Sequence, residues 1–178
     1  MVRTKKIHPD LALIPMLSHE ALYVGVDGGK FRHVAGFLSR TLLKRHQHFE
    51  GCPTFAFEQS REGFQALVDR IREYTSLEQT TVLLESTGHS HKNLEQYLLE
   101  LDITVYRIHV QERPKGMVKT DKRDALSLAN RLDTQLELGA QVEDKMQLVR
   151  RTAPPTPAAA QLRGFLQHRY ELSHQRTQ

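Results

Sequence analysis

The sequence predicts an α/β fold, a mixed sheet with helices against its faces followed by a C-terminal helical extension. Three observations carry that reading. Short β-branched or apolar runs at Tyr23–Asp27 and Thr80–Glu85 each end in a carboxylate and stop at a turn. Between and after them, apolar residues recur at helical spacing in Phe64, Leu67, Val68, Ile71 and in Ala125, Leu128, Ala129, Leu132. Strands therefore alternate with helices, the order that builds a partly parallel sheet.

Taken in order, Tyr23–Asp27 is a buried strand running into the Gly28-Gly29 turn, and His33–Leu38 returns as the second arm of a hairpin. Thr54–Phe57 supplies a third strand. A helix over Ser60–Tyr74 follows, with Ser60 as its cap and Gly63 as its weak point. Thr80–Glu85 is the fourth strand, halted by Ser86-Thr87-Gly88. His91–Leu101 forms a helix with Leu94, Tyr97, Leu98 and Leu101 on one face, and Thr104–His109 is the fifth strand. Pro114 and Gly116 mark a loop, after which Asp121 opens the last helix of the domain. From Asp133 the periodicity fades, Pro154-Pro155-Thr156-Pro157 forms a stiff break, and helical spacing resumes at Leu162, Phe165, Leu166 and Leu172. The expected organisation is an extension over 1–20, a domain over 21–135, a linker over 136–157 and the start of a linking helix over 158–178. That final apolar stripe is too narrow to form a core alone. It is expected to pack on another subunit, in a homo-oligomer, or on a further domain.

Composition narrows the function classes. With 178 residues and a hydrophobic fraction of 39%, the chain can bury one core plus an appendage. Cys52 is the only cysteine, which excludes an internal disulfide and a cysteine-based zinc site and fits a reducing cytoplasm. No apolar run approaches the about 18 residues of a membrane span, and Asp10 and Pro15 interrupt the short N-terminal one. The net charge is +4 and the pI about 9.3. From Lys145 onward, Arg150, Arg151, Arg163, Arg169 and Arg176 face the single acid Glu171, an imbalance suited to phosphates and equally to a solvated helix face.

Four acids gain meaning as a set. Asp27 and Glu85 end strands; if those strands are parallel neighbours, both carboxylates reach one edge of the sheet, where α/β proteins bind ligands. Asp121 and Asp124, three apart, lie near one face of the last helix and can approach the same edge. Carboxylates that close repel unless a divalent cation neutralises them, and an oxygen-only donor set points to magnesium or manganese. Two such ions serve phosphoryl transfer by activating one oxygen and stabilising another. One by one, the same acids read as turn residues, with Asp121 as an N-cap and Asp124 favouring the helix dipole. Lys119, Lys122 and Arg123 flank the set, either as phosphate contacts or as exposed charges at a helix start. His89 and His91 follow Glu85 and could reach the same edge, although each histidine taken alone reads as structural, and His46 and His48 read as a solvated turn.

Val24-Gly25-Val26-Asp27, Leu84-Glu85-Ser86-Thr87-Gly88-His89 and Lys119-Thr120-Asp121-Lys122-Arg123-Asp124-Ala125 together resemble the signature blocks of the DEDD, RuvC-like insertion-sequence transposases, including the Piv-type invertases. The resemblance covers roughly Tyr23–Leu132, and Leu162–Arg176 is similar to the start of that family's long linking helix. It implies a ribonuclease-H-like fold, Asp27, Glu85, Asp121 and Asp124 as a catalytic, metal-binding tetrad, and DNA as the substrate of site-specific recombination. It also implies a structured RNA as a possible guide and a catalytic serine on a C-terminal domain. The expectation is that these 178 residues stop before that domain and do not recombine DNA alone; Ser127 and Ser173 read as helix residues, not nucleophiles. One departure is Gly28-Gly29, where the family has larger residues, which predicts a more pliable first turn. Two alternatives stand beside this reading. Asp27-Gly28-Gly29-Lys30 resembles the first phosphate loop of sugar kinases and other actin-like ATPases, but no second Asp-x-Gly loop follows. The other is a non-catalytic nucleic-acid-binding module that uses the basic tail.

Overall fold

A computed structural model describes residues 19–85, 91–108, 120–138 and 149–153, with part of 156–169. Its elements run β1 (Leu22–Gly28), β2 (Arg32–Leu38), α1 (Arg40–His46), β3 (Thr54–Glu58), α2 (Arg61–Arg72), β4 (Thr80–Glu85), α3 (His91–Glu100), β5 (Thr104–Ile108), α4 (Asp121–Leu138) and β6 (Val149–Arg151). They form one six-stranded sheet in the order β3-β2-β1-β4-β5-β6. The β1–β2 and β2–β3 pairs are antiparallel, β1–β4 and β4–β5 are parallel, and β6 closes the far edge antiparallel to β5.

The strand pleat explains which residues face which layer. Tyr23, Gly25 and Asp27 alternate onto one face of β1, and Gly36 of β2 lies directly opposite Gly25. Helix α4 crosses this glycine pair at backbone contact. A β-carbon on Gly25 would sit 2.2 Å from the Ala125 carbonyl oxygen, and one on Gly36 would sit 2.7 Å from the Leu126 nitrogen. Ala125, Leu126, Ala129 and Leu132 are buried there. A helix of this length owes its stability mainly to such an apolar face rather than to propensity. The other end of α4 is clamped by Glu137, which accepts a hydrogen bond from the Tyr23 hydroxyl (2.6 Å) and one from the Arg40 guanidinium (2.6 Å). Burial, then this bond, pushes the Tyr23 hydroxyl well above its ordinary range, while the two donors hold Glu137 below its own. Contacts at both ends fix α4 antiparallel to β1, its N-terminal turn toward the C-terminal end of β1.

The opposite face carries α2 and α3. Phe37 stacks on Tyr74 at the end of α2, and His33 packs between Phe57 and Phe64. Phe64 in turn meets Tyr97 of α3. Ser60 caps α2 as the sequence predicts, its hydroxyl accepting from the Gly63 N–H at 3.0 Å. Gly63 is a requirement more than a weakness, because a β-carbon there would sit 2.2 Å from the Glu58 carbonyl oxygen.

Three features depart from the sequence reading. His46 is not in a turn: it is the last residue of α1, a seven-residue helix capped by Ser39 and stopped by Gln47 in the left-handed region (φ 62°). So short a helix carries too few apolar positions to show a period, and Gln47 stands where glycine is the usual signal. Helix α4 continues to Leu138, and β6 lies inside the stretch 136–157 that reads as a linker. At three residues, β6 is set by pairing with β5, reinforced by the Thr152 N–H donating to the Val105 carbonyl at 2.8 Å. Gly28-Gly29 is also tighter than expected, since a β-carbon on Gly29 would sit 2.3 Å from the Arg32 carbonyl oxygen. No described helix is long and apolar enough to cross a membrane.

The glycine floor under α4 gives a direct stability test. Gly25→Ala is expected to destabilise the fold by about 3 kcal/mol, the upper part of the overpacking range, because the clash is with backbone. Gly164→Ala, where nothing lies within 4 Å, is expected to be neutral or slightly stabilising. Urea denaturation of both variants beside the unsubstituted chain measures the difference.

Candidate active site

The strand register brings the first two acids together. The last paired residues of β1 and β4 are Val26 and Leu84, so Asp27 and Glu85 stand one step beyond on adjacent parallel strands. Both follow, at i+2, the residues that face α4, Gly25 and its partner Leu83, and so both belong to the α4 face. Asp27 is half-buried and Glu85 buried.

Helix α4 brings the other two. Thr120 is its cap: the hydroxyl accepts from the Arg123 N–H at 3.3 Å and the carbonyl from the Asp124 N–H at 3.0 Å. Asp121 is therefore the first helical residue, not the capping group that the sequence allowed it to be. Asp124 follows one turn on, immediately before the Ala125 that rests on Gly25. The close packing of α4 on the glycine pair thus carries Asp121 and Asp124 to the edge where β1 and β4 end.

The electrostatics register this convergence. Asp27 is pushed up to about 6 from an ordinary 3.8, first by burial, then by the charge and hydrogen bond of Glu85, then by the charges of Asp124 and Asp121. The carboxylates around Asp27 all oppose its ionisation, so the edge is short of positive charge. Among the described residues, no group of three or more His, Cys, Asp or Glu side chains is drawn together as a finished ligand set. The donor chemistry nonetheless suits a hard divalent cation: the four groups are carboxylates, and Cys52 is buried with its thiol pushed up to about 11 by burial.

A family model of transposases, DEDD_Tnp_IS110, matches residues 24–178. The chain belongs to the IS110-type DEDD transposases. No curated protein matches it closely enough to count as a relative. The mixed sheet with flanking helices is the family's ribonuclease-H-like, RuvC-like fold. Membership favours the transposase reading of Asp27-Gly28-Gly29 over that of a kinase phosphate loop.

The basic residues that the sequence of this transposase singles out differ in their surroundings. Lys122 is exposed on the first turn of α4. Arg123 instead makes an ion pair with Glu50 at 2.9 Å, tying α4 to the turn before β3. Arg169 is exposed, as are Leu162, Phe165 and Leu166 on the same helical stretch. His91 is buried at the start of α3, and Ser127 is exposed on α4. Lys119, Arg163, His89 and Ser173 lie outside the described residues. The Arg123–Glu50 pair had no sequence signal, since its members are 73 positions apart and meet only through the packing of α4.

Asp27 makes the convergence measurable. Its folded value lies above its unfolded one, so its contribution to stability is fully present below about pH 4 and is lost as pH rises through about 6. Without divalent cations, the unsubstituted chain should lose stability relative to Asp27→Asn over that window, as followed by urea midpoints. A carbon-13 titration should place the Asp27 midpoint near 6. In Glu85→Gln it should fall yet stay above 3.8, because burial is the larger cause. A midpoint near 3.8 in the unsubstituted chain would refute the convergence.

Proposed function

We propose that this chain is the metal-binding, DNA-engaging domain of its transposase, with Asp27, Glu85, Asp121 and Asp124 as the catalytic tetrad that holds magnesium or manganese. The observation that carries the reading is the field at Asp27, to which acids from one neighbouring strand and one helix all contribute. An anionic cluster of this kind, at the C-terminal edge of parallel strands, is a liability to the fold unless it binds a cation. Bound divalent metal supplies activation of an attacking oxygen and stabilisation of a leaving one on a phosphate.

The chain's own residues set up that chemistry. Glu85, buried on β4, and Asp27 give the edge two carboxylates on a rigid sheet, while Asp121 and Asp124 arrive on a helix fixed at both ends. Lys122 and Arg169, with Lys119 and Arg163, are the proposed phosphate contacts that hold DNA across the edge, while Arg123 stays paired with Glu50. The domain spans about residues 21–135 with β6 completing its sheet, and the later helical stretch carries the exposed apolar residues through which copies of the transposase associate. A structured RNA is a second proposed partner on the same basic surface. Exposed Ser127, on the outer face of α4, is not the nucleophile.

Two measurements test the reading. Thermal or urea denaturation with magnesium or manganese should show stabilisation that reaches about 2.7 kcal/mol when metal is a hundredfold above its Kd, reversed by chelation. The double variant Asp27→Asn, Glu85→Gln should show none of it, and an equal response in both proteins would refute the tetrad. DNA binding followed by anisotropy should weaken steeply with salt, and Lys122→Ala should lower the slope of log affinity against log salt by about 1.

A further inference from the structure

The β1–β2 hairpin has an unusual tip. Turns between strands are ordinarily built from small or polar residues, yet here Lys30, Phe31 and Arg32 follow the glycine pair. Phe31 is 75% exposed, the most exposed large hydrophobic residue among those described. Its ring is not collapsed onto the core. Lys30 Nζ lies 5.1 Å from the ring centroid, and Arg32 is exposed beside it, opposite Glu58 in the β2–β3 register.

The backbone that displays the ring is held firmly. The tight contact at Gly29 fixes the turn on one side. On the other, the Gln59 N–H donates to the Phe31 carbonyl at 2.9 Å, tying the tip to the start of α2. A single exposed apolar residue is ordinary on a protein surface, but a ring held on a fixed backbone between two cationic side chains is set up for an occupant. Position and charge identify one. Phe31 lies three residues before Val34, the residue that pairs with Asp27, so at about 3.3 Å per extended residue it stands on the order of 10 Å from the carboxylate edge. That is about three nucleotide steps of 3.4 Å. An aromatic face between cationic side chains is the arrangement that binds single-stranded nucleic acid, where the ring stacks on a base and the cations meet phosphates.

We infer that Phe31 is a base-stacking residue, which holds an unpaired base of the DNA strand engaged at the carboxylate edge while Lys30 and Arg32 contact the flanking phosphates. This rests on the proposed binding of DNA at that edge. It adds a positioning role: the ring fixes the register of the strand relative to the acids, and it favours DNA that is unpaired next to the reacting phosphate.

The chain contains no tryptophan, so Phe31→Trp installs a single fluorophore at the proposed stack. The emission of that variant should be quenched when a single-stranded oligodeoxynucleotide binds, with affinity close to that of the unsubstituted chain. Phe31→Ala should bind the same oligonucleotide about tenfold more weakly with an unchanged salt slope, because no phosphate contact is removed. Lys30→Ala and Arg32→Ala should each lower the slope. Full-affinity binding by Phe31→Ala, together with unquenched emission from the bound Phe31→Trp protein, would overturn the stacking role and leave the DNA-binding reading intact. Failure of the unsubstituted chain to bind DNA at any salt would overturn both. Quenching by an oligoribonucleotide alone would overturn the assignment to DNA.

Discussion

The approach of α4 to the glycine pair Gly25 and Gly36 is the constraint on which the rest of this molecule depends. Each strand residue beneath a helix ordinarily interposes a side chain, which holds the two backbones apart. Here neither position carries one, and the backbone of α4 at Ala125, Leu126 and Ala129 comes down onto the backbone of the sheet. The small side chains of Ala125 and Ala129 complete the fit from the helix side. This close packing brings the first turn of α4 to the ends of β1 and β4. Were the helix carried outward by even one methyl group at Gly25, Asp121 and Asp124 would move with it.

The approach has an electrostatic consequence. Four carboxylates brought to one edge, with Glu85 buried and Asp27 half-buried, oppose one another in an environment that screens them poorly. The fold tolerates them because the attachment of α4 lies elsewhere: in its apolar face, in the Glu137 clamp on Tyr23 and Arg40, and in the Arg123–Glu50 pair. Attachment and function are thus separated along one helix. The N-terminal turn carries the acids, and the remaining turns hold the helix against the repulsion those acids create.

The sheet edge also orders what lies around the acids. Beyond Asp27, the chain turns tightly at Gly28-Gly29 and presents Lys30, Phe31 and Arg32 before it returns as β2. From across the sheet, α4 contributes Lys122 beside Asp121. Acidic groups at the centre and basic or aromatic groups around them fit a polyanion held at its phosphates while one of them meets the acids. The geometry that fixes α4 therefore fixes the spacing between the two kinds of group as well.

The sequence alone determined most of the elements and singled out the four acids. Short apolar or β-branched runs ended by turns marked five of the six described strands, helical periodicity marked α2, α3 and α4, and the three motif blocks pointed to Asp27, Glu85, Asp121 and Asp124. These were legible because each rests on local spacing: a strand that ends in a carboxylate, or two acids three residues apart on a helix. The tertiary structure alone decided what local spacing cannot encode. Helix α1 and strand β6 were missed because a seven-residue helix and a three-residue strand are too short to carry a period, and β6 exists only through its pairing with β5. The capping role of Thr120, the diversion of Arg123 to Glu50 and the display of Phe31 depend on atoms brought together from distant positions or held by backbone contacts. So do the parallel pairing of β1 with β4 and the descent of α4 onto two glycines 11 positions apart, which bring four acids scattered along the sequence toward one edge of the sheet.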